Sequence, residues 1–189
     1  MPGKISLTRE QYLQSVEAVK SAASDLTGRF TLNQLTWQPA NGERWSILEC
    51  LDHLTISTTV YLDAMDAAII GTRNGADAGI FHTAGWPSSK ALHDLEPQHG
   101  LKLSAPSRIR PRPTLHPERV PEQFFSAMDR ISALVRLTTG KDLNATRFRN
   151  PLLPIIRFTV ATGLLILAAH ARRHIWQAQR VAEEAEFPK

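Results

Sequence analysis

The sequence predicts an all-α protein: an antiparallel four-helix bundle with a long proline-rich loop between helices two and three. Three observations lead there. Four segments repeat apolar residues at helical spacing, and most open on a clear start signal. No segment alternates in the manner of a half-buried strand. The stretch 72–119 carries Pro87, Pro97, Pro106, Pro111, Pro113 and Pro117 with four glycines, a density that breaks regular structure. The 189 residues read as a single domain, 1–189, long enough for a full core.

Helix one is expected from about Thr8 to Leu26, with Thr8 and Gln11 as a capping box and Tyr12, Val16, Val19 and Ala23 inside. Gly28 is its expected stop, and a loop follows through Trp37 and Gly42. Helix two opens at Ser46, capped reciprocally by Glu49, with Trp45 stapling the turn before it. Its stripe is Ile47, Leu51, Leu54, Tyr61 and Met65, ending near Gly71, with Cys50 and His53 beside the stripe. The 72–119 stretch is expected to wrap one end of the bundle and shape a pocket, with a short helix near Ser88 to Leu95. Helix three starts at Pro121, a residue favoured in a first turn, and buries Phe124, Phe125, Met128, Ile131, Leu134 and Val135 before Gly140. A loop from Arg147 to Pro154 leads to helix four, Thr159 to Glu184, with Leu164, Leu167, Ala168, Ala171, Ile175, Ala178 and Val181 facing the core. Arg172, Arg173 and Arg180 fit its outer face.

The apolar share of 42% and charged share of 21% suit a soluble globular chain and argue against wholesale disorder. A net charge of +4 is a mild basic excess. Its densest cluster, Arg108, Arg110 and Arg112, sits in the proline-rich loop without an aromatic ladder or groove-reading helix, so a solvated loop is expected and no nucleic-acid partner. Cys50 stands alone, so no internal disulfide forms, which suits a cytoplasmic location. Lys4, Arg9 and Glu10 interrupt the start, so no signal peptide is expected. The apolar run Phe158 to Ala169 is too short to span a bilayer, so no membrane partner is expected either.

The chemistry concentrates in His170-Ala171-Arg172-Arg173-His174, followed by Gln177. Two imidazoles four residues apart share one helix face, the spacing at which they grip one metal ion. By itself the pattern is weak, and two structural histidines would look the same. His53, near the start of helix two, is the third candidate if the two helices pack together. Three neutral imidazoles would leave the ion's charge uncancelled and coordination positions open, the pattern of a catalytic site. Gln177, one turn past His174, is a candidate to bind a coordinated water or ligand, or is an ordinary polar helix residue. Glu49 could orient the free ring nitrogen of His53, although its capping role already explains it. Arg173 could meet a substrate carboxylate, with a structural ion pair the simpler reading. Cys50 reads as a small buried hydrophobe, Ser57 as a space filler, and His82, His93, His99 and His116 as loop histidines. No serine-triad order, phosphate-cradling glycine loop or C-x-x-C pair appears.

Trp37-Gln38-Pro39, Trp45-Ser46-Ile47 and Glu49 with Asp52-His53-Leu54 resemble the start of DinB-like proteins, and His170-Ala171-Arg172-Arg173-His174-Ile175-Trp176-Gln177 resembles their closing signature. The likeness runs from about Thr8 to Val181. It implies a four-helix bundle holding a divalent metal on His53, His170 and His174, and a three-imidazole set suits zinc, nickel, iron or manganese. It also implies a thiol S-transferase or related hydrolase, using a low-molecular-weight thiol such as bacillithiol, mycothiol or glutathione and an electrophilic small molecule, and a homodimer. The iron-binding relatives carry Glu where this chain has Trp176, so their sulfoxide chemistry is not implied. Two alternatives stand beside the enzyme: a non-catalytic bundle stabilised by its metal, and an interaction protein whose histidines bind nothing.

Overall fold

The computed structural model describes residues 4–72, 75, 79–97 and 104–189. Four long helices carry the fold: α1 (Arg9–Arg29), α3 (Ile47–Ile70), α5 (Val120–Leu137) and α6 (Val160–Ala182). Each begins where local chemistry says it should. Thr8 and Gln11 close the capping box of α1, and Ser46 and Glu49 that of α3. Pro121 sits in the first turn of α5, and the Thr159 hydroxyl accepts from the Thr162 amide at the head of α6. α1 runs past Gly28 to Arg29, because nothing at Gly28 forces the backbone out of helical geometry. After α5 the chain turns at Gly140, whose φ of +84° a side chain would oppose.

Several short elements lie where sequence reading expects loop or sees nothing. α2 (Leu32–Thr36) is one turn with its own capping box from Thr31 and Gln34. α4 (Trp86–Leu95) matches the expected short helix in the proline-rich stretch. Two antiparallel ribbons depart from the all-α expectation: β1 (Ser6–Thr8) with β2 (Ile80–His82), and β3 (Arg147–Arg149) with β4 (Arg157–Thr159). At three residues apiece these strands are too short to show an alternating pattern. So the stretch between helices two and three is not one proline-rich loop, since among its described residues it contributes a strand, a helix and 3-10 turns at Ser107–Ile109 and Pro117–Arg119.

The bundle is not antiparallel throughout. Asp63 pairs with Arg130, Arg112 spans Asp52 and Gln123, and Lys141 bonds the Ile69 and Thr72 carbonyls, so α3 and α5 run in the same direction. Lys20 meets Asp129, and Arg9 reaches the Thr138 carbonyl, so α1 opposes α5. Tyr12 donates to the Leu164 carbonyl and Gln34 to that of Pro188, so α1 and α6 are parallel, and α6 therefore opposes α3. Around the ring each helix has one parallel and one opposed neighbour. The long stretch 72–119 makes this order feasible: α3 is about 36 Å long, and the chain after it returns the whole way before α5 begins.

The helix faces expected to be apolar fill the core: Tyr12, Val16, Leu51, Leu54, Met65, Phe124, Met128, Ile131, Leu164 and Ile175 are buried, and only Phe125 stands partly out. Arg172 leaves the outer face assigned to it and pairs with Glu96, just after α4, tying the return stretch onto α6. Among the described residues no helix is long and apolar enough to cross a membrane.

Candidate metal centre

His53 lies in the second turn of α3, and His170 and His174 lie one turn apart on α6. Because these helices pack side by side in opposite directions, the three imidazoles meet near the end of the bundle where α3 begins. Ring centroids are 4.4 Å apart for His53 and His174, 4.5 Å for His170 and His174, and 4.9 Å for His53 and His170. The rings stand edge to face, as blades about a common point. One nitrogen from each lies within 4.8 Å of the others. His53 Nε2 and His170 Nε2 are 3.1 Å apart. Two ligand nitrogens held about 2.0–2.1 Å from one ion would stand roughly 2.9–3.4 Å apart, so this pair already has the spacing of a chelate.

The outer nitrogens decide where the lone pairs point. His53 Nδ1 lies 2.5 Å from the Ile109 carbonyl, an acceptor, so it carries the proton and leaves Nε2 bare. His174 Nδ1 lies 3.0 Å from Gln177 Oε1 and donates in the same way. Gln177 thus acts on the ring of His174, a role the sequence reading does not include. Burial pushes all three imidazoles below their ordinary value. For His53 the Ile109 carbonyl and Asp52 oppose burial in part. For His170 the His174 and His53 rings and Arg173 add to it. For His174 burial, then the His53 ring, outweigh the Gln177 bond and bring the value to about 3. At neutral pH the cluster is uncharged, the form that binds metal.

Trp45 is the wall of the site. Its ring centroid lies 4.8 Å from that of His53 and 5.8 Å from that of His174. The spacing gives Trp45 a stapling role only, although its place one residue before the cap of α3 puts it about two turns before His53. Glu49 stays with its cap, accepting from the Ser46 amide and from Gln38, and does not orient His53. Cys50 is fully buried, and burial holds its thiol far above the usual range, so it packs as a small hydrophobe. Ser57 bonds back to the Leu54 carbonyl. Trp176 is 45% exposed and off the histidine face. His82, His93 and His116 do not join the cluster, and His99 lies outside the described residues. Arg112, expected on a solvated loop, instead grips Asp52, while Arg108 and Arg110 bond the carbonyls of Pro151 and Ala105. Two open grooves of about 610 and 770 Å³ run along α5 and contain none of the three histidines. The imidazole cluster marks the site better than groove size, because it gathers ligand atoms and perturbed ionisable groups at one point.

The chain matches the DinB superfamily over residues 15–178. It belongs to that superfamily. No match is found among curated proteins. Among solved structures, YfiT from Bacillus subtilis resembles this chain with a TM-score of 0.59 and 16% identity, the match covering 93% of this chain and 86% of YfiT. YfiT is described as a probable metal-dependent hydrolase with an unusual four-helix bundle topology. At this identity the likeness speaks for the fold.

Proposed function

We propose that this member of the DinB superfamily is a divalent-metal-dependent enzyme, a thiol S-transferase or related hydrolase, whose ion is held by His53, His170 and His174. The observation that carries the reading is the convergence of three neutral imidazoles, two of them with the outer nitrogen bonded to an acceptor so that the inner lone pair faces one point. A neutral three-nitrogen donor set fits zinc, nickel, iron or manganese, with cellular supply deciding among them. When bound there, the ion would lower the pKa of a coordinated thiol or water, or polarise a carbonyl.

The protein's own part is to hold that set rigid and partly dry. His53 is buried against Trp45, while His170 and His174 are only half-buried, so a small molecule approaches from the α6 side. The partners this reading calls for are a low-molecular-weight thiol and an electrophilic small molecule. YfiT, with its description as a probable metal-dependent hydrolase, supports the hydrolase branch.

Elemental analysis of untagged protein, beside His53→Ala and His170→Ala, tests the site. Near-stoichiometric metal in the parent and its loss in both variants is the expected result. A parent that stays metal-free after incubation with all four metals would end the enzyme reading. Turnover of a generic electrophile with glutathione, or of an ester without thiol, then separates the two branches. Metal without either activity would leave the ion a structural role.

A further inference from the structure

We propose that Asp52 and Arg112 form a clamp that positions His53 for metal binding through the main-chain carbonyl of Ile109. The metal arm of this proposal rests on the three-histidine reading above, and the positioning arm does not.

Asp52 precedes His53 in α3, and its side chain is fully buried. A carboxylate taken out of water needs partners. Every partner it has among the described residues comes from Arg112: the backbone amide at 2.8 Å to Oδ2, Nε at 2.9 Å to Oδ1, and Nη2 to the same oxygen. The guanidinium also donates to Gln123 of α5, so one side chain ties the return stretch to two helices. Three residues earlier, Ile109 is itself buried, and its carbonyl accepts from His53 Nδ1. Only Arg110 and Pro111 separate the two anchor points, and the proline ring fixes one of the torsions between them.

Neighbouring residues of α3, 52 and 53, are thus gripped by residues 112 and 109 of one short, stiff segment. The grip on Asp52 sets where the Ile109 carbonyl stands. That carbonyl keeps the His53 proton on Nδ1 and the lone pair of Nε2 on the cluster. A clamp that only closed a loop would leave the His53 tautomer indifferent to Arg112. A clamp that positions the ligand would not.

The test is the tautomer of His53 in the metal-free protein, read by long-range proton–nitrogen NMR of the imidazoles. The parent should show a single tautomer protonated at Nδ1. Arg112→Ala should show a mixture of tautomers, and Arg112→Lys, which keeps the charge but not the Nε donor, a smaller change of the same kind. Arg130→Ala, an exposed arginine paired with Asp63 and away from this segment, should match the parent. Cobalt(II) titration followed by visible absorption gives the second arm: about tenfold weaker binding or more in Arg112→Ala, with Arg130→Ala unchanged. If Arg112→Ala does not fold, Arg112→Lys carries both readings. An unchanged His53 tautomer in these variants overturns the clamp whatever the metal affinity. A shifted tautomer in a protein whose parent binds no metal would uphold the clamp and sink the metal reading alone.

Discussion

At the scale of single residues, the site is a set of imidazoles kept neutral by burial and by one another. That has a signed consequence for stability. Each of the three folded-state values lies below the ordinary 6.5, His174 at about 3. Below about pH 6.5 the unfolded chain takes up protons that the folded chain refuses, so the metal-free protein should lose stability as pH falls from about 6.5 toward 3. Urea unfolding of the metal-free protein at a series of pH values checks this, and His174→Phe should flatten the slope. A stability profile that is level through this window would contradict the buried, neutral cluster. Gln177 gives a second residue-scale prediction. Gln177→Leu removes the acceptor for His174 Nδ1 and should weaken metal binding about 10–100-fold, read by competition with a chromophoric chelator. Affinity equal to the parent would leave Gln177 an ordinary polar residue.

Within the elements, packing sets tighter limits than propensity. Gly163 lies in the first turn of α6, against Met65 of α3 and Phe148 of β3. A methyl group there would stand 2.4 Å from Met65 Cε and 2.7 Å from Phe148 Cζ. Gly163→Ala would gain about 1 kcal/mol of helix propensity, yet both neighbours are buried core side chains that must move. The overpacking should win, with a net loss of about 1–2 kcal/mol, seen as a lower midpoint in denaturant. A stabilised variant would mean that Met65 and Phe148 move aside freely. The cap of α6 is a cleaner case: Thr159→Ala removes the acceptor for the Thr162 amide and should cost about 1 kcal/mol.

For the molecule as a whole, the three histidines lie on two helices that are far apart in sequence and adjacent in the ring. An ion bound to them would bind the folded chain only, so its removal should lower the melting temperature. At a free metal concentration of 100 times Kd the linkage is about 2.7 kcal/mol, or roughly 5–10 °C for a domain of this size. Thermal unfolding followed by circular dichroism, with and without chelator, measures it. An identical curve from protein shown to hold metal would put the ion elsewhere.

The four long helices, their caps and their apolar faces were legible in the sequence because those signals are local. Thr8 with Gln11 and Ser46 with Glu49 act within one turn, and the stripe from Leu164 to Val181 needs only helical spacing. The pairing of His170 with His174 is local in the same sense. Their meeting with His53 entered as a candidate, supported by family resemblance, since spacing along one helix says nothing about which helix lies beside it. Tertiary structure decided the rest. The parallel course of α3 and α5 depends on how a return stretch of nearly fifty residues is spent. The ribbon of Ser6–Thr8 with Ile80–His82 exists because backbones far apart in sequence come together, not because three residues prefer a strand. The atom that orients His53 is a main-chain carbonyl, which every residue possesses, so no sequence pattern marks Ile109 for the task. Arg112 reads as a solvated loop charge until folding buries Asp52 beneath it, and only that long-range contact turns a surface arginine into part of the site.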